Sequence, residues 1–283
     1  MPPKKTEENP PVTWRDEVAG VSTPADSGVQ SYPTLQFLNG QQSMKGHWRE
    51  FGMFFIPDAE NVGSSWNTTE FLTRNGDSVP GVARAEIEVS VIRLRRAWFV
   101  KDSEKQIRRI PWANYGAAKN IGKPRGKCQI LMSVTGVNEL VCLSLTGMQS
   151  AYAMQRDGWG GMARKRLYDP TARILHMGKK GGIERLPALQ FRIHIGAEQS
   201  NGKPVYTPVG RDGDESAVTR IVLLAPIATV ESDADVARYI VPRVIRESYE
   251  TAYSEADEWA HAWDGAPEPE DNGGYGNIAD ELD

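Results

Sequence analysis

The sequence predicts an α+β fold: a mostly antiparallel β-barrel, elaborated by a helical insertion and closed by a long C-terminal helix. Three observations lead there. Apolar and polar residues alternate with a period of two from residue 86 to Val91 and again over residues 189–195, and apolar strand-like runs lie between. A helical period interrupts the strands from residue 148. A second, longer helical pattern runs from residue 233 to residue 263. Residues 1–31 are rich in Pro, Ser, Thr, Glu and Gly and read as a flexible arm, residues 32–263 as a single elaborated domain, and residues 264–283 as a disordered acidic tail.

The elements follow in order. Residues 34–38 form a short strand closed by Asn39-Gly40, and residues 51–56 an apolar strand ending at Pro57. In residues 85–100, Ile87, Val89 and Val91 share one face, opposite Glu86, Glu88 and Ser90. Beyond Val91 the parity shifts to Ile92, Leu94 and Trp98, which predicts a bulge at Val91-Ile92. Residues 128–134 and 139–145, joined by a turn, make a hairpin. Met148, Ala151, Tyr152 and Met154 suit a helix ended by residues 158–161, and a second helical stretch, interrupted by Pro170, spans residues 164–177. Leu189, Phe191, Ile193 and Ile195 alternate with Gln190, Arg192 and His194, as on a half-buried strand. Asn201-Gly202 is a hairpin turn, and residues 218–225 form a buried strand. In the last helical stretch Val236, Tyr239, Ile240, Val244, Ile245, Tyr249, Tyr253 and Ala256 make a stripe that packs on its own sheet, with a kink or break at Pro242. Three strands, a helix and two strands is the element order of an OB-fold.

Charge is strongly segregated. Residues 93–185 hold 19 Lys/Arg against 6 Asp/Glu, whereas residues 247–283 hold 12 acids and no Lys or Arg, so a formal net charge of −4 conceals two opposed blocks. The densest basic stretch, residues 93–127, has eleven Lys/Arg and two acids, with aromatic residues among them. Unpaired nucleic acid requires cations that track phosphates and flat rings that stack on bases, the latter contributing ~1–3 kcal/mol per base. Arg93, Arg95, Arg96, Lys101, Arg108, Arg109, Lys119, Lys123, Arg125 and Lys127 are the candidate phosphate contacts, and Trp98, Trp112, Tyr115 and Trp159 the candidate stacking platforms. Arg164, Lys165 and Arg166 form a second basic set. Lys179 and Lys180, set between glycines, form a third, and no Gly-Lys-Ser/Thr makes it a phosphate-binding P-loop.

Basic strands bearing aromatic residues, then a Pro/Gly-rich linker, then an acidic tip: in this layout the chain resembles single-stranded-DNA-binding proteins of bacteria and phages. The resemblance spans residues 85–283 and implies a non-catalytic protein of replication or recombination in a phage or mobile element, with a protein partner docking on residues 265–283. Such tails commonly finish in an aromatic after acids; this one finishes with Ile278 and Leu282 as its apolar residues. The alternatives are an RNA-binding ribonucleoprotein subunit, in which the same residues serve, and a self-assembling structural protein or homo-oligomer, in which the basic block of one copy meets the acidic tail of another.

Enzyme signatures are sparse. His47, His176, His194 and His261 show no metal-ligand spacing, and Cys128 and Cys142 read as small buried hydrophobes. Residues 212–215 read as a turn rather than an ion site. Asp58, Glu86 and Glu88 are the carboxylates that a metal-dependent nuclease would use, but no Lys accompanies them on the strand. The expectation is a protein with no catalytic residues, no metal and no cofactor. No run of eighteen apolar residues and no apolar leader is present, which predicts a cytoplasmic protein without membrane association.

Overall fold

A computed structural model describes residues 30–38, 41–44, 47–49, 52–57, 62–63, 65–72, 78–155, 158–176, 190–208, 217–224 and 230–264. Ten strands form one mixed sheet. Along its path lie β16 (Ile221–Leu223), β11 (Ile193–Ala197), β7 (Glu86–Lys101), β9 (Arg125–Val134), β10 (Val141–Thr146), β1 (Thr34–Leu38), β4 (Met53–Pro57), β6 (Ser78–Arg84) and β5 (Asn67–Leu72); β8 (Ile107–Pro111) pairs with β7 off that path. Small two-stranded ladders join β2 (Gln41–Met44) with β3 (His47–Arg49), β12 (Gln199–Ser200) with β13 (Lys203–Pro204), and β14 (Thr207–Pro208) with β15 (Ala217–Val218).

The sheet is open, which corrects the expected OB-like barrel. Strand β1 docks parallel on β10, with Thr34 opposite Cys142, and antiparallel on β4, with Leu38 opposite Met53. It therefore extends the sheet between two antiparallel sets instead of closing one set on itself, and β16 and β5 stand at opposite ends of the path. The α+β character stands.

Strand β7 organises everything that follows. Its sixteen residues pair with β9 along most of their length, with β11 at the N-terminal half and with β8 at the C-terminal half. Its register against β9 shifts between Val91 and Arg93, where the parity of the sequence changes. The shift keeps Val89, Val91, Leu94, Arg96 and Trp98 on one face, opposite Val134, Met132, Ile130, Cys128 and Gly126. Arg93, Arg95, Ala97 and Phe99 occupy the other, opposite Leu131, Gln129, Lys127 and Arg125. Between β12 and β13, Asn201 and Gly202 both have positive φ, 53° and 74°, as a two-residue type I′ turn requires.

Helices lie on both faces. On the first, α2 (Gly147–Met154), α3 (Trp159–Ala163), a π-helical turn (Arg164–Tyr168) and α4 (Asp169–His176) enclose the main core, in which Ala153, Trp159, Ala163 and Leu167 pack on Cys128, Ile130, Met132, Leu143 and Ile193. Pro170 does not end this helical run. The Asp169 N–H donates to the Arg164 carbonyl, five residues back, so the backbone is already widened where Pro170 supplies no donor. On the second face, the long C-terminal helix expected from the sequence is three helices: α5 (Asp233–Ala237), α6 (Arg243–Glu255) and α7 (Asp257–His261). Pro242 stands just before α6 and cannot continue a helix from α5, and the bridge from Ile240 to Phe191 ties the intervening chain to the first face. Helices α6 and α7 pack through Tyr249, Ala252, Tyr253, Ala256, Trp259 and Ala260 on Ile92, Leu131 and Cys142. Val244, part of the expected apolar stripe, is 81% exposed. No described helix is long and apolar enough to cross a membrane.

Candidate nucleic-acid interface

The basic segment 93–127 builds one corner of the sheet: the C-terminal half of β7, strand β8, helix α1 (Tyr115–Ile121) and the start of β9. Trp98 points to the first face across from Gly126. The Trp112 ring lies parallel to it, with centroids 4.2 Å apart and planes 8° apart, and the Trp98 Nε1–H donates to the Trp112 carbonyl at 2.8 Å. The Arg96 guanidinium sits 4.6 Å from the Trp112 centroid. Tyr115 tilts against Trp98 at 4.8 Å and is 48% exposed. A side chain at position 126 would crowd the stack, since a Cβ there would lie 3.2 Å from Trp112 and 3.3 Å from Trp98. Arg96, Trp112, Trp98 and Tyr115 thus form one column, and its outermost member is Tyr115, not a tryptophan.

The elements that build this column also carry cations, on both faces of the sheet. Lys101, Arg108, Lys119, Lys123 and Arg125 are exposed and Arg109 is half-buried. Arg109 and Arg125 flank Phe99 in cross-strand register on the second face. Arg108 is engaged locally: its Nε donates to Asp102 Oδ2 at 2.6 Å in the β7–β8 turn. That bond, together with the backbone N–H groups of Gln106 and Glu104, holds the Asp102 carboxyl below its usual value.

Other predicted contacts lie elsewhere. Arg93, Arg95 and Lys127 are buried beneath α6 and α7. Arg93 Nε donates to the Tyr253 carbonyl at 2.9 Å and its Nη2 to Asp257 Oδ1 at 2.6 Å. Arg95 Nε donates to Gln129 Oε1 and its Nη1 to the Trp259 carbonyl. Lys127 lies between two rings, its Nζ 5.8 Å from the Phe99 centroid and 5.9 Å from that of Trp263; burial lowers its pKa to about 8. Parity explains the difference. The second face of β7 and β9 is polar in sequence and reads as solvent-facing, but aromatic helices cover it. Trp159 is 2% exposed and belongs to the main core, so it offers no ring to a base. Arg164 is half-buried, 3.9 Å from Asp169, while Lys165 and Arg166 are exposed on the π-helical turn. Lys179, Lys180 and residues 212–215 and 265–283 lie outside the described residues.

The acidic and sulfur groups are placed as follows. Glu86 stands 3.4 Å from His194 Nε2, and Glu88 accepts a hydrogen bond from Thr135. Among the described residues no three His, Cys, Asp or Glu side chains gather as metal ligands do. Cys128 and Cys142 are buried free thiols, with pKa values pushed up by burial to about 12 and about 11. The cover of the second face escaped the sequence reading. Its acids were visible after Arg246, and six of the twelve lie on residues 247–264, which bear α7 and most of α6. No protein-family model, curated protein or solved structure matches the chain.

Proposed function

We propose that the protein binds single-stranded nucleic acid, DNA in the first instance, at the corner formed by β7, β8, α1 and the start of β9. The observation that supports this reading most is the aromatic column that surfaces at Tyr115 on elements that also carry exposed cations. In this reading a base stacks on the outer face of Tyr115, and Trp98 and Trp112 hold that ring in place. Lys101, Lys119, Lys123 and Arg125 meet phosphates, and Arg109 extends the strip around the β8 edge. The chemistry is association only: phosphates displace counterions from the lysines and arginines, and stacking adds ~1–3 kcal/mol per base. Titrating the protein with oligo(dT), oligo(rU) and a duplex at two salt concentrations, followed by intrinsic fluorescence, tests it. The expected result is tight, salt-dependent binding of oligo(dT) and weak binding of the duplex. Equal affinity for oligo(rU) would assign the site to single strands of either sugar. Concentration-dependent oligomerisation with no response to any oligonucleotide would favour self-assembly through the segregated charges.

A further inference from the structure

We propose that α6 and α7 are a displaceable cover over a second cationic face of the sheet, and that this face takes the same ligand, single-stranded nucleic acid, when the cover lifts. The inference rests on the reading of the β7–β8–α1 corner as a nucleic-acid site.

Four observations carry it. Beside the apolar strip of Ile92, Leu131 and Cys142, the covered face is basic and polar. Arg93, Arg95 and Lys127 are exposed by only 8%, 9% and 7%, and Gln129, Ser133 and Ser144 line the same region. The face is also continuous with the open corner: Arg125 precedes Lys127 on β9 by two residues, and Arg109 faces Phe99 across the β7–β8 ladder. A strand bound at the corner has a ready path along it.

Second, the cover resembles the ligand in charge. Residues 247–264 carry Glu247, Glu250, Glu255, Asp257, Glu258 and Asp264 and no Lys or Arg. The two arginines are held by the acceptors it offers, the Asp257 carboxylate and the backbone carbonyls of Tyr253 and Trp259. Phosphate oxygens are the same kind of acceptor for a guanidinium.

Third, the match is incomplete. The carboxylate that pairs with Arg93, that of Asp257, is itself 51% exposed. Lys127 has rings for neighbours and no carboxylate pairs with it among the described residues. A desolvated ammonium without a counter-charge favours any opening that pairs it.

Fourth, the cover is thinly anchored. None of the thirteen residues of α6 is fully buried. The fully buried apolar anchors are Ala256, Trp259, Ala260 and Trp263, with Tyr249, Ala252 and Tyr253 packed half-buried beside them. Few buried contacts and many exposed helical turns define a segment that opens below the global unfolding free energy.

The two cysteines provide the test. Cys142 lies beneath the cover against Ala256, Trp259 and Ala260, whereas Cys128 lies in the main core on the other face. Asp257→Asn combined with Tyr249→Phe removes the ion pair to Arg93 and the hydrogen bond to Ser133 without altering the cationic face. Labelling rates with a thiol reagent, assigned with Cys128→Ser and Cys142→Ser, report opening, and oligo(dT) titration reports binding. In the double variant Cys142 should label roughly tenfold faster, as loss of a charged hydrogen bond implies, with Cys128 unchanged. Oligo(dT) affinity should rise by up to the same factor, because the second face adds its contacts only in the open fraction, and more nucleotides should be occluded per protein. Unchanged Cys128 labelling certifies that the variant is folded. Simultaneous labelling of both cysteines would overturn the cover. Faster Cys142 labelling with unchanged affinity, while the wild type still binds, would overturn the second face alone. Absence of oligonucleotide binding by either protein would overturn the corner reading and the ligand of the second face together.

Discussion

Trp112 has little free surface to offer a base. Trp98 is stacked on it and Arg96 packs against it, so the exposed work falls to Tyr115. The two rings should respond differently to truncation. Tyr115→Ala should weaken oligo(dT) binding by ~1–3 kcal/mol and leave the melting temperature nearly unchanged. Trp112→Ala should cost about 1–3 kcal/mol of stability, less than a fully buried tryptophan because the ring is half-buried, and weaken binding through the loss of Tyr115's support. Urea denaturation and fluorescence titration on the same samples distinguish them; an inert Tyr115→Ala would remove stacking from the account.

Lys127 makes a second prediction at this scale. Burial lowers its folded pKa to about 8 from 10.5, so between those values the unfolded chain binds the extra proton and stability rises with pH. The raised thiol pKa values of Cys128 and Cys142 act in the opposite sense over a similar range, so the comparison must be with Lys127→Met. That variant should be at least as stable as wild type at pH 7, and its advantage should shrink by up to roughly 1.4 kcal/mol per pH unit from pH 8 towards pH 10.5. A constant difference across the range would place the Lys127 ammonium in water. The eleven cations of residues 93–127 were legible as a cluster, but not which of them face solvent. Arg93 and Arg95 alternate with buried residues as surface cations do, and the groups that bury them arrive from residues 253–263.

At the scale of elements, features specified by neighbouring residues were legible. The parity shift after Val91 located the bulge, the Asn201-Gly202 pair located a turn, and the apolar runs before Val134 and before Thr146 located the hairpin. Pro170 was read as an interruption, and the π-helical turn before it shows how the helix continues instead. The C-terminal stretch was correctly read as packing on its own sheet, but Pro242 divides it into separate helices. Helix α5 has its own start signal: Ser232 and Asp235 form a reciprocal capping box. Ser232→Ala should therefore cost about 1 kcal/mol in urea denaturation and leave oligonucleotide affinity untouched. A change in affinity would mean that α5 couples to the corner.

Sheet closure was not legible, because it is decided by long-range pairing. Nothing in residues 34–38 specifies that they lie between β4 and β10, yet that placement turns a barrel into an open sheet. The segregation of charge, in contrast, survives folding: cations collect at one corner and run under an acidic cover. Removing residues 265–283 takes away six further acids downstream of the buried Trp263. Affinity for oligo(dT) should rise at low salt, and the gain should fade as screening shortens to ~10 Å at 0.1 M. Equal affinity at low salt would limit these residues to another role. The most direct test of the central claim is the salt dependence of oligo(dT) binding by the intact protein. With four or more phosphates held by Lys101, Lys119, Lys123 and Arg125, the log–log slope should be about −0.7 per contact, close to −3 in total. A slope near zero, or no binding at low salt, would contradict the account.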